Sequence, residues 1–342
     1  MRYLSATRLI WCLAFLLPVV AIVSLSMGTV SVPLSQIIQT LFASIGGGIE
    51  STQTSTIVLD IRLPRILLAL LVGAVLAVLG TVMQGLFRNP LADPSLIGVS
   101  GGASFGASVV IVLVGGTVAS PLAGLSLISF GAFMGGVIST LVVYRVATSS
   151  LGTSVTTMLL AGIAIGAIAG AFNSLLSYFS DNQMLRQISV WQMGNLGGAS
   201  WLKVGIMAGV SALLLAVLPA QARSLNALLL GESEARYLGI DVQIVKRKLI
   251  FLTALGVGVS VALAGLIGFV GLIIPHMIRL LIGPDHRGLL PATALAGASL
   301  LMIADSVARV VVLPAELPTG ILTALLGAPF FVALLIRQRG GL

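Results

Sequence analysis

The hydrophobic positions of this chain do not alternate with polar ones; they run on for about twenty residues at a time. Ten such runs predict ten membrane-spanning helices, over 9–28, 62–84, 95–115, 121–146, 155–178, 197–220, 248–266, 268–283, 289–311 and 319–337. The eighth is the shortest. Turn formers punctuate the runs at Asn89-Pro90, Gly115-Gly116 and Gly283-Pro284. The first run, Leu9 to Met27, exceeds the about 7–15 residues of a signal-peptide core, and no small-residue cleavage site follows it, so it is expected to stay as a helix. The pattern implies an all-α fold, one polytopic transmembrane domain over 1–342.

Two segments depart from it. Ser31 to Asp60 contains Val32-Pro33-Leu34-Ser35-Gln36-Ile37-Ile38, whose spacing predicts a short amphipathic helix lying on the membrane surface. Arg223 to Lys248 holds Glu232, Glu234, Arg236, Asp241 and three consecutive basic residues, too polar to face lipid.

Composition sharpens this. Hydrophobic residues make up 58% of the 342 and charged residues 8%, against about 25% charged in soluble domains. Such a chain cannot cover a water-facing surface, and in a bilayer it need not. Forty glycines suit helices that approach closely. The net charge of +8 comes from scattered residues without aromatic interleaving, which argues against nucleic acid and for charges retained in cytoplasmic loops. With ten crossings and the N-terminus inside, 13 of the 18 Lys and Arg fall inside, placing both termini in the cytoplasm. Arg62, Arg65, Arg186, Lys203 and Arg309 are the outside exceptions.

Candidate chemistry is mostly absent. No G-x-x-x-x-G-K-[ST] loop occurs, and none of the three lysines follows a glycine. Cys12 is single and sits in an apolar run. His276 and His286 lack the partners a metal requires, so a structural role is expected and neither a metal nor a cofactor. The spans hold almost no acids. Asp305 lies four residues before Arg309, and an i,i+4 ion pair accounts for it. An ion-coupled secondary transporter, which needs buried ionisable groups, is the weaker class, and no catalytic constellation marks an enzyme. If the chain transports, its energy comes from a partner.

A few local patterns remain. Arg62 and Arg65 flank Pro64 on one face of a helix start, where the dipole disfavours cations. They either hold lipid phosphates or pair with a partner's carboxylates. Asn89-Pro90-Leu91 forces a turn. Gly162, Gly166 and Gly170 line one face of the fifth span, for packing or for a pore.

Several segments occur together in order: Arg62-Leu-Pro-Arg65; Gln84-Gly-Leu-Phe-Arg-Asn89-Pro90-Leu91-Ala-Asp93-Pro94; Leu96-Ile-Gly98-Val-Ser100-Gly-Gly-Ala103; Gly231-Glu-Ser-Glu-Ala235-Arg-Tyr-Leu238-Gly239-Ile240; Gly268-Phe-Val-Gly271-Leu-Ile-Ile-Pro275-His276-Met-Ile-Arg279; and Glu316-Leu-Pro318-Thr-Gly320. Over essentially its whole length the chain resembles the FecCD/BtuC-type permeases, membrane subunits of ABC importers for iron-siderophores, haem and vitamin B12. The resemblance implies a type II importer fold with an inverted repeat, a homodimer in the bacterial inner membrane, two ATP-binding-cassette ATPases below and a periplasmic binding protein above.

It also implies roles for particular residues. Residues 224–243 become the coupling helices, two short helices broken at Gly239, with Ala235, Leu238, Gly239, Ile240 and Val242 entering the ATPase and Glu232 at the rim. Arg62, Arg65 and Arg309 become the docking site for the binding protein. Asn89 and Leu91 form a cytoplasmic gate, with a second constriction at Ser154 and Thr156. Gly162, Gly166 and Gly170 lie on the dimer face. The pattern L-R-x-x-x-x-W-x-M-G-x-L-G-G-A-x-W in 185–201 is closer to the haem permeases than to the siderophore ones. Haem is therefore the expected substrate, ahead of ferric siderophore and cobalamin.

Overall fold

A computed structural model describes residues 3–46, 52–114, 121–150 and 152–339. Arg2 and the turn expected at Gly115-Gly116 lie outside the described residues. In chain order the first helices are α1 (Ala6–Ser26), α2 (Leu34–Gly46), α3 (Gln53–Ser55), α4 (Leu63–Leu86), α5 (Val99–Val114), α6 (Pro121–Ala147) and α7 (Val155–Tyr178). There follow α8 (Asn182–Gln192), α9 (Trp201–Val217), α10 (Ala222–Leu230), α11 (Glu232–Tyr237), α12 (Val242–Ala264), α13 (Val270–Ile282), α14 (His286–Ala308) and α15 (Thr319–Arg339). An antiparallel ribbon, β1 (Thr148–Ser149) with β2 (Gly152–Thr153), joins α6 to α7.

The ten expected runs fall on α1, α4, α5, α6, α7, α9, α12, α13, α14 and α15. Among the described residues seven of these, α1, α4, α6, α7, α9, α12 and α14, lie in helices long and apolar enough to cross a membrane, and α5, α13 and α15 are shorter apolar helices. Their outward faces carry large apolar side chains, among them Phe15, Leu113, Phe130, Leu160, Phe251 and Leu325, as a lipid-solvated surface requires. The surface helix expected in the 31–60 segment is α2, which buries Ile37 and exposes Ile38 and Phe42.

The second span starts earlier than its hydropathy suggested. Its helix begins at Gln53, where Thr52 and Ser55 cap each other reciprocally. It then winds as a π-helix over 56–62 and runs on into α4, 34 residues in all. A proline inside a helix cannot donate its bond and crowds the carbonyl four residues back. The wider π turn just before Pro64 relieves that crowding. Arg62 and Arg65 are thus interior to a long helix and not at its start.

α4 is the core. Every residue from 72 to 87 is buried, enclosed by α9, α12, α13 and α14. Glycines set the closest approaches. Gly102 and Gly106 of α5 lie against the backbone of Gly135 and Gly131 of α6, so that an added Cβ would overlap a carbonyl oxygen at each contact. Two small-xxx-small repeats facing each other bring the helices into backbone contact.

Candidate functional site

The polar 224–243 segment folds as α10 and α11, which project at one end of the bundle. The break between them falls at Gly231 (φ 126°), and Gly239 (φ 80°) ends the second helix; the expected break at Gly239 is one helix too late. Both positions have backbone angles that only glycine adopts freely, so the sequence offered two candidates for one break. The side chains also divide differently from expectation. Ala235 and Val242 are buried within this chain. Tyr237 and Leu238 are 86% and 63% exposed, Gly239 is exposed with no atom near its Cα substituent position, and Ile240 is half-buried.

Between α10 and the turn after α11 lies a cleft of about 550 Å³ lined by Arg223, Asn226, Leu230, Leu238, Ile240 and Arg287. Asn226 fixes its floor. Its Nδ2 donates to Asp285 at 2.6 Å, and its Oδ1 accepts from the His286 backbone N–H at 2.9 Å and lies 2.8 Å from His286 Nδ1. His286 is buried and has the structural role expected of it, tying α10 to the start of α14. Asp285 caps α14 through the Arg287 N–H at 3.0 Å. That backbone bond, with the Asn226 amide, holds its carboxyl below the usual range.

At the same end, α4 stops and the chain turns. Arg88 takes a left-handed conformation (φ 49°), and Asn89 Oδ1 accepts from the Leu91 N–H at 2.9 Å, closing the turn that Pro90 demanded. Ser154 caps α7 by accepting from Thr157 N. Ser154 and Thr156 line a cavity of about 500 Å³ together with Phe87, Arg88, Glu232 and Lys246. The start of α7, the end of α4 and α11 therefore share one space; Asn89 and Leu91 stand beside it without lining it.

The three glycines of α7 do not act alike. Gly162 is buried against the backbone at Leu96, where no Cβ fits, whereas Gly166 and Gly170 have open space at the Cβ position. Gly162 is a packing residue, and the open face begins at Gly166.

At the opposite end of the bundle, the arginines expected to dock a partner make their contacts within the chain. Arg62, Arg65 and Arg309 are each at most 5% exposed, and their guanidiniums turn inward. Arg65 Nε lies 3.0 Å from both oxygens of Asp305, and its Nη1 pairs with Glu316 at 2.6 Å. Arg309 makes the i,i+4 pair with Asp305 at 3.2 Å and binds the carbonyls of Ser24 and Met27. Arg62 binds the carbonyls of Leu25, Ser26 and Val30. Thr319 Oγ1 completes the cluster on Asp305 at 3.0 Å. The Arg62-Leu-Pro-Arg65 and Glu316-Leu-Pro-Thr-Gly320 motifs thus meet over Asp305 and lock α1, α4, α14 and the start of α15. Local spacing revealed the Asp305–Arg309 pair, but Arg65 lies 240 residues from Asp305 and 251 from Glu316, beyond its reach.

The 185–201 segment forms most of α8 and the loop after it. Arg186, Gln187 and Trp191 of α8, with Asn195 and Lys203, line a cavity of about 430 Å³. Gly194, Gly265 and Gly320 pack backbone on backbone behind it, which accounts for the glycine in the 316–320 motif.

A model of the FecCD transport family matches residues 16–337 of this architecture. The chain belongs to the FecCD transport family. It is 49% identical over 283 residues to the hemin transport system permease protein HmuU of Yersinia pestis, covering 82% of this chain and 83% of that one. It is 48% identical over 280 residues to the vitamin B12 import system permease protein BtuC of Escherichia coli O9:H4 (strain HS), with 82% and 83% covered. Among solved structures, a chain described as an inward-facing conformation of a metal-chelate type ABC transporter superimposes with a TM-score of 0.83. It is 34% identical, with 97% of this chain and 99% of that one covered. The FecCD resemblance read from the six motifs is thereby established, and with it a multi-pass ABC transporter permease and not an enzyme.

Proposed function

We propose that this FecCD permease moves haem across a bacterial inner membrane, both termini in the cytoplasm, for the acquisition of iron. The 49% identity to a hemin permease over 82% of the chain carries the reading. Two copies enclose the path, with the open face of α7 at Gly166 and Gly170 on the dimer axis. Two ATP-binding-cassette subunits supply the energy, since this chain has no phosphate-binding loop. They seat on α10–α11, a contact supported by the exposure of Tyr237, Leu238 and Gly239. The turn at Asn89 and Leu91 and the start of α7 at Ser154 and Thr156 close the path on the cytoplasmic side. A periplasmic binding protein delivers substrate to the outer face, where three guanidiniums against the carboxylates of Asp305 and Glu316 leave one excess positive charge; Glu316 is its exposed member. Membrane lipids cover the apolar flanks.

Cobalamin is the second reading, since the vitamin B12 permease is 48% identical over the same share of the chain. The test is reconstitution in liposomes with the candidate ATPase and binding protein, following haem, cobalamin and a ferric siderophore in parallel. Haem uptake that requires ATP and the binding protein is the expected result. Uptake of cobalamin or siderophore without haem overturns the substrate, and uptake without any ATPase overturns the class in favour of an ion-coupled transporter.

A further inference from the structure

Lys246 belongs to no motif of the sequence, yet it is one of the most enclosed cations in the chain. It sits in the second turn of α12 with its side chain 3% exposed. Its ammonium pairs with Glu232 Oε1 at 2.6 Å, the first residue of α11. The same nitrogen donates to the carbonyl of Thr153 at 3.0 Å, in the ribbon that leads into α7. One turn earlier on the same face, Gln243 Oε1 accepts from the N–H of Thr153 at 3.0 Å. Both backbone groups of Thr153 are thus held by two side chains of α12.

The grip is shaped to a particular backbone. Gly152 has φ 109°, and a Cβ there would run into the Gln243 amide. Thr148 and Thr153 join across the ribbon through their hydroxyls at 3.0 Å. The next residue, Ser154, caps α7. A continuous chain of polar contacts therefore runs from α11 through Lys246 to the N-terminus of α7. An ammonium with three donors on a compact head can serve two acceptors at once. Both of its acceptors lie in short segments: α11 is six residues long, and the ribbon has two residues in each strand.

We infer that Lys246 is the positioning residue that transmits movement of the ATPase-bound α10–α11 pair to the cytoplasmic end of α7. Glu232 is its sensor side, and Thr153 its output. The inference rests on the coupling role proposed for α10–α11. When the ATPase displaces α11, the Glu232–Lys246 pair shifts, the hold on Thr153 changes, and Ser154 and Thr156 move with it. Through its one ammonium Lys246 joins α11 to the ribbon that leads into α7.

The test follows a cysteine at Thr156→Cys, in a Cys12→Ser background, in the full complex of permease and ATPase. Its labelling rate by a water-soluble maleimide is measured without nucleotide and with a non-hydrolysable ATP analogue. The parent with Lys246 is expected to show a nucleotide-dependent change in rate. Lys246→Met keeps the apolar stem and removes the charge. It should assemble and hydrolyse ATP, lose that change, and transport fewer substrate molecules per ATP by roughly two- to thirty-fold, the range over which one residue of a coupling network acts. Lys246→Arg should recover part of the response, and Glu232→Gln, on the half-exposed side, should lose it as Lys246→Met does. A normal response and normal transport per ATP in Lys246→Met overturn the inference. If Lys246→Met does not assemble, the decision passes to Glu232→Gln: a lost response supports it, and a normal one overturns it. A parent that shows no nucleotide-dependent change overturns the coupling role itself, and this inference with it.

Discussion

Replacing Asp305 tests the arginine cluster most directly. The carboxylate is 1% exposed and takes Arg65 Nε at 3.0 Å, Arg309 Nε at 3.2 Å and Thr319 Oγ1 at 3.0 Å. Asp305→Ala removes all of these and leaves two buried guanidiniums, Arg65 with only Glu316 and Arg309 with only carbonyl and hydroxyl oxygens. Breaking a buried pair from one side costs about 3–5 kcal/mol. Arg65→Met is milder, because Asp305 keeps Arg309 and Thr319; the loss is that of a charged hydrogen bond, about 1.5–3 kcal/mol. Residues in one network couple, so the double variant should lose less than the sum, by about 0.5–3 kcal/mol. The assay is thermal unfolding of the purified permease in detergent. At roughly 2 °C per kcal/mol for a large chain, Asp305→Ala should melt roughly 6–10 °C lower. Melting within error of the parent, or full additivity in the double variant, would refute the lock and return these arginines to a docking role alone.

Other expected outcomes follow from the same geometry. Leu238→Glu, at an exposed tip, should leave folding intact and abolish co-purification with the ATPase, whereas Ala235→Glu, at a buried site, should abolish folding; equal behaviour of the two in a stability and pull-down assay would contradict the assignment. Gly106→Leu should separate α5 from α6 and prevent accumulation of folded protein, while Gly170→Ala, in open space, should have no effect on its melting. Asp285 has its folded pKa depressed, so its contribution is complete above the unfolded carboxylate value of about 3.9 and is lost as pH falls through the lower folded value. The melting difference between the parent and Asp285→Asn should therefore be constant at neutral pH and shrink below about pH 4; a difference independent of pH there would be inconsistent with the cap.

The sequence revealed what hydropathy can carry. Ten apolar runs became ten helices because lipid-solvated helices must be apolar over their whole length. Hydropathy placed the start of the second helix too late because Asp60, Arg62 and Pro64 interrupt the apolar run, although the helix passes through them with Asp60 exposed and Arg62 held by the carbonyls of Leu25, Ser26 and Val30. The α10–α11 pair was legible as polar residues between spans, but Gly231 and Gly239 are equivalent as letters, and only the fold shows which one separates the helices. Ala235 could not be told from Leu238 as a contact residue, since burial at a six-residue helix depends on α12 beneath it. Lys246 passed as one of three basic residues in a row. Its neighbours Arg247 and Lys248 are exposed, and the difference arises from Glu232 and Thr153, which approach from separate parts of the chain.

The burial of α4 bears on how the protein is made. From residue 72 to 87 this helix meets only other helices, so in the finished molecule its greasiness serves no contact with lipid. Yet it is the most apolar of the seven long spans. Helices enter the bilayer one after another and associate afterwards. When α4 leaves the ribosome, α9, α12, α13 and α14 have not been synthesised, and the residues that will become the core have to be a transmembrane segment in their own right. Its composition is therefore set by two environments in succession. A polar residue that the completed bundle could satisfy would still be met first by hydrocarbon, at a stage when α9, α12, α13 and α14 are not yet there to receive it.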